Sequence, residues 1–149
     1  ELRLLQSEPL LGPVAALLEL EPALAETAPA LAKTAAPPAP TLQQLAAAEC
    51  RWLQQHNRHG SDWLDAAGWQ VQHSSSWEEP LQLELQPTLL QRWFDDQQPY
   101  GALLKQQLPT ADQRQWLQQQ FGQRLKQLLP QRVRHTLVIA QLAGAVEPA

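Results

Sequence analysis

The sequence predicts an α/β fold, and three features carry that prediction. A short run at Leu2 to Gln6 reads as a strand; capping-box signals at Thr41 and Thr110 open amphipathic helices; and "VRHTLVIAQL", from Val133 to Leu142, is a β-branched run apolar through its centre. That last pattern predicts a strand covered on both faces. The order along the chain is strand, helices, strand or hairpin, helices, buried strand.

Composition bounds what such a domain does. With 149 residues, 44% apolar and no apolar run near the length of a membrane span, the chain is one domain at most, with no membrane partner expected. The net charge of -4 comes without any block of like charge, so direct nucleic-acid binding by this segment is not expected. A single cysteine, Cys50, cannot build a disulfide framework and points to a reducing, cytoplasmic setting. The chain opens at Glu1 with no signal-peptide pattern, and is expected to be a segment of something longer.

The texture changes at about residue 40, dividing the chain into 1–40 and 41–149. Prolines at 9, 13, 22, 29, 37, 38 and 40 interrupt every periodic run of the first part, so its helices are short, and "TAAPPAP" from Thr34 to Pro40 reads as a connector. From Thr41, which with Gln44 fits a capping box, Leu42, Leu45, Cys50, Trp52 and Leu53 fall near one face of a helix reaching about His56. Ser61 is placed to cap a short helix, "DWLDAAG", which Gly68 ends in a left-handed conformation. Trp69, Val71 and His73 alternate as a strand does, and "LQLELQ" at 81–86 repeats the alternation; one bent strand or a hairpin satisfies both. Leu89, Leu90, Trp93 and Phe94 share a face of a short helix, and Thr110 with Gln113 caps a longer one over 111–128, carrying Trp116, Leu117, Phe121, Leu125 and Leu128.

The residues "AAGW", "LLQRWF", "PYGALLKQQL" and "HTLVIAQ" together resemble the methyltransferase-like region that follows replication-associated recombination protein A, a clamp-loader-like AAA+ ATPase, in cyanobacterial fusion proteins. The resemblance covers about residues 45–142. It implies the C-terminal half of a class I methyltransferase-like (Rossmann-like) domain: the N-terminal strand as strand five with its acidic tip near Glu8, the next as strand six, and "HTLVIAQ" as strand seven, inserted antiparallel between them. It also implies partners, the missing upstream half of the domain and the ATPase region, and a setting in DNA replication, repair and recombination. S-adenosylmethionine is the cofactor implied for the complete domain. The chain itself lacks the Gly-rich turn that holds this cofactor, since its glycines at 12, 60, 68, 101, 122 and 144 stand singly, and it lacks a phosphate-binding loop. No cofactor is expected in this chain alone.

No catalytic, cofactor-binding or metal-ligating residue follows from the sequence. Cys50, His56 and His59 match no zinc spacing. His135 shares a face with Val133, Leu137 and Ile139, as a hydrogen-bonded structural histidine does. Glu78 with Glu79 and Asp95 with Asp96 are sequence neighbours whose side chains diverge, unlike paired acid and base carboxylates. The stretch "RWFDDQQPYG" predicts a helix-turn-helix cover, with Tyr100 an aromatic of polar tip suited to a pocket rim. Tyr100, Gly101 and Trp77 are the candidates for acceptor or partner contact. Two readings stand: a partial methyltransferase-like domain that is not catalytic alone, or an interaction or regulatory domain that keeps only the fold.

Overall fold

A computed structural model describes residues 1–29, 39–57 and 60–142, the side chains of 60 and 61 excepted. The expected connector lies outside these residues up to position 38, as does His59. The fold is mixed α/β: one three-stranded antiparallel sheet with helices packed chiefly against one end of it. The strands are β1 (Leu2–Pro9), β2 (Trp69–Glu84) and β3 (Leu128–Leu142), in the order β1-β3-β2, so the C-terminal strand lies between the other two and runs antiparallel to both.

The strands are longer than their patterns suggest. Leu2 pairs with Ala140 and Pro9 with Val133, so β1 continues past Gln6 to Pro9, and beyond it Leu10 N–H still donates to the Arg132 carbonyl at 2.8 Å. The two alternating segments of the middle region form one continuous strand, irregular between Val71 and His73, rather than a hairpin. "SSSWEEP" is thus strand and not turn.

Helix starts follow their chemistry. Helix α1 (Pro13–Leu20) begins with proline at its first position, where no N–H is missed. In α2 (Leu42–His56) the Thr41 hydroxyl accepts from the Gln44 N–H at 3.2 Å and the Gln44 side chain returns the bond at 3.0 Å; Thr110 and Gln113 repeat this box at α6 (Ala111–Gly122). Helix α3 (Gly60–Ala66) is followed by Gly68 at φ +86°. It starts at Gly60, which puts Ser61 inside the helix rather than at its cap. The short α4 (Pro87–Trp93) and α5 (Pro99–Gln107) complete the set.

Helix α6 stops six residues before the expected 128. The chain is drawn out of the helix at Lys126, φ +68°, because Lys126 N–H donates to the Leu85 carbonyl at 2.9 Å and Leu85 N–H to the Gln127 carbonyl at 3.0 Å. Leu128 therefore belongs to β3. The main core joins Val14 and Leu17 of α1, Leu42 and Leu45 of α2, Leu104, Leu117, Phe121 and Leu129. Phe121 is fully buried with the rings of Trp93 and Phe94 edge-on at 5.4 and 6.4 Å; burial of such a side chain stabilises by about 2 to 3 kcal/mol.

A smaller cluster sits under α3, where Leu64 meets Val138 and Ala140. Positions 129 and 138 differ by an odd number, so along β3 they point to opposite faces, and each face is covered at a different end. This corrects the expectation of a strand buried on both sides. Leu137 and Ile139 stay half-buried, and on their face Leu5 is 60% and Trp77 49% exposed, because no described helix lies over this part of the sheet. Among the described residues, no helix is long and apolar enough to cross a membrane.

Candidate functional site

The antiparallel register brings three strand ends to one place: Pro9 closing β1, Leu83 near the close of β2, and Leu129 to Gln131 opening β3. A pocket of about 230 Å³ opens there. Its floor is Leu83 and Leu129, its sides are Leu53 and Trp52 of α2, and its roof is Trp93 and Tyr100 of the α4–α5 cover. Ligand sites of open α/β sheets commonly lie at the carboxyl ends of strands, which is where β1 and β2 finish.

Tyr100 is half-buried and donates its hydroxyl to Glu49 Oε2. Glu49 is almost completely buried on α2, and its other bonds come from α1: Val14 N–H donates to Oε2 and Ala15 N–H to Oε1, both at 3.0 Å. The residue before α1 is Gly12, which has no side chain with which to cap the helix. Glu49 supplies that cap from another helix, and a Cβ on Gly12 would overlap its carboxyl group. Burial pushes the Glu49 carboxyl up to about 7, against the opposing pull of Tyr100, Ala15 and Val14. Burial also raises the Tyr100 hydroxyl well above its ordinary range, reinforced by Glu49. Glu49 itself stays behind the pocket wall, so its effect on the pocket is to orient the Tyr100 ring.

Two further rings fix that orientation. Tyr100 stands edge-on to Trp52, centroids 5.8 Å apart, and to Trp93, 6.4 Å apart. Gly101, the second candidate, is buried in α5, where a Cβ would overlap the carbonyl oxygen of Asp95. Its role is close approach of the α4–α5 turn, in which the Asp95 carboxylate accepts from Gln97 N–H at 3.0 Å and Asp96 pairs with Lys105 at 3.3 Å.

Trp77, the third candidate, lies elsewhere. It stands on the open sheet face, six residues along β2 from Leu83 or about 20 Å, with its ring 5.5 Å from that of His135. His135 Nδ1 is 2.8 Å from Ser7 Oγ and its Nε2 is 2.8 Å from Glu79 Oε2. This Ser-His-Glu chain has the members of a nucleophilic site but not its surroundings, since strand N–H groups lie in the plane of the sheet and none is aimed at an oxyanion above Ser7. It ties the three strands together across one face. Glu78 pairs with Arg134 at 3.3 Å beside it.

Cys50 is exposed, and the position on the buried face of α2 belongs to Glu49. His56 Nδ1 lies 2.9 Å from the Trp52 carbonyl. Among the described residues no three His, Cys, Asp or Glu side chains stand together as a metal site. Comparison with protein-family models, curated proteins and solved structures finds no match, so the site is read from its own geometry.

Proposed function

We propose that the chain is the C-terminal half of a class I methyltransferase-like domain, carried in the cytoplasm by a replication and recombination AAA+ ATPase, and not catalytic by itself. The observation that supports this most is the sheet: its last strand lies between the other two and antiparallel to both, as strand seven does between strands five and six in that fold. The pocket at the strand ends, under the α4–α5 cover, then corresponds to the acceptor side, with Tyr100 facing the acceptor and Gly101 shaping the cover. The outer edge of β1 is where a strand four would pair, and the exposed Leu5 face is where the upstream half would pack. S-adenosylmethionine belongs to that upstream half, and nucleic acid to the ATPase rather than to this segment.

A second reading, a non-catalytic interaction or regulatory domain, is favoured by Leu5 and Trp77, which give the open face an apolar character that a protein partner would cover. Calorimetry with S-adenosylmethionine separates the two. The methyltransferase reading expects no binding to residues 1–149 and saturable binding to the full polypeptide that carries them. Absence of binding to the full polypeptide would leave the interaction reading.

A further inference from the structure

The wall of the pocket has more to say about its ligand. Three of its polar groups are already engaged: the Tyr100 hydroxyl with Glu49, the Gln131 amide with both the N–H and the carbonyl of Leu11 at 3.1 and 2.9 Å, and the Pro9 carbonyl with the Asn57 side-chain amide at 3.0 Å. The α1 N-terminus, which would otherwise attract an anion, has its Val14 and Ala15 donors occupied by Glu49. Among the described residues that line the pocket none is charged, so a cation finds no counter-charge there either. What remains is an aromatic and aliphatic cleft, Trp52, Trp93 and Tyr100 over Leu53, Leu83 and Leu129.

We infer that this pocket binds an uncharged planar ring system of one or two fused rings, held by apolar contact alone. Size argues for that class: an apolar cavity of about 150 Å³ is enough for benzene, and this one measures about 230 Å³. The lining argues for it too: Trp52 and Trp93 each stand edge-on to Tyr100, so three aromatic rings border the cleft and offer faces and edges to a flat apolar ligand. The inference concerns the same site as the acceptor reading but does not depend on methyl transfer.

The test is titration of residues 1–149 with indole by calorimetry, without any methyl donor. Indole is expected to bind with a dissociation constant of about 1 mM or tighter, and its charged relatives tryptamine and indole-3-acetate at least about tenfold more weakly, since each brings a charge into a wall that cannot pair it. Leu89→Trp, which fills the cleft, should abolish indole binding, and Leu5→Ser on the open sheet face should leave it unchanged. Should Leu89→Trp not fold, methyl chemical shifts of Leu53, Leu83 and Leu129 in the unaltered protein report the same site, and are expected to move on addition of indole. No binding at several times that concentration, equal binding of the charged relatives, or loss of binding in Leu5→Ser would overturn the inference. Because no S-adenosylmethionine is present, such a failure leaves the methyltransferase reading standing, and a failure of that reading leaves this one.

Discussion

Tyr100 donates its hydroxyl to the carboxyl group of Glu49, and through that one carboxyl α5 is joined to α2 and to the first turn of α1. Three helices that carry the pocket walls therefore share a single titratable group. Its protonation is coupled to folding.

The first prediction follows from the direction of that coupling. The Glu49 pKa is raised in the folded state, from 4.5 to about 7, so the folded protein holds a proton that the unfolded chain has released. Its stabilising contribution is full below pH 4.5 and is lost as pH rises through 7. Over that window the unaltered protein should lose about 3 kcal/mol relative to Glu49→Gln, which cannot titrate. Urea unfolding of both proteins between pH 4.5 and 8 measures the difference. A constant difference would show that Glu49 does not titrate in this range.

Tyr100→Phe removes one donor from the buried carboxyl. A hydrogen bond to a neutral carboxyl is worth about 1 kcal/mol and one to a carboxylate about 2 to 3. The loss of stability should therefore be the larger at pH 8 than at pH 5. Equal losses at the two values would mean that the hydroxyl bond is indifferent to the charge on Glu49.

Two glycines should respond oppositely to alanine. Gly101→Ala pushes the Asp95 carbonyl away from α5 and should cost about 1 to 3 kcal/mol, with displacement of the Trp93 and Tyr100 roof. Nothing lies within 4 Å of a Cβ on Gly122, at the end of α6, so Gly122→Ala should be neutral or stabilise by up to about 1 kcal/mol. Thermal unfolding of the two variants checks the contrast.

What could be seen in the sequence was local. Both capping boxes act between residues three apart, and Thr41 and Thr110 mark their helices correctly; Gly68 likewise takes the left-handed turn expected of it. The expected α6 is too long because Leu125 and Leu128 continue its apolar spacing, while the force that ends it comes from Leu85, just past the end of β2. Tyr100 was visible as a residue of the cover, but its partner was not, since Glu49 lies 51 residues away. A sign of Glu49 existed nonetheless. It stands four residues after Leu45 and four before Leu53, a carboxyl on the apolar stripe of α2, where Cys50 was expected instead. Trp77 was legible as an unusual residue and not as a separate location, because its distance from Tyr100 is set by a strand that runs straight through "SSSWEEP".

The central proposal is that this sheet is part of a larger one, in which the outer edge of β1, beside the exposed Leu5 face, takes a further strand. Sedimentation of residues 1–149 tests it most directly. The account predicts concentration-dependent self-association that Leu5→Lys weakens, and a monodisperse protein when the native upstream sequence is present; a stable monomer over the same concentrations, unfolding cooperatively in the ordinary mesophile range of about 45 to 65 °C, would contradict it.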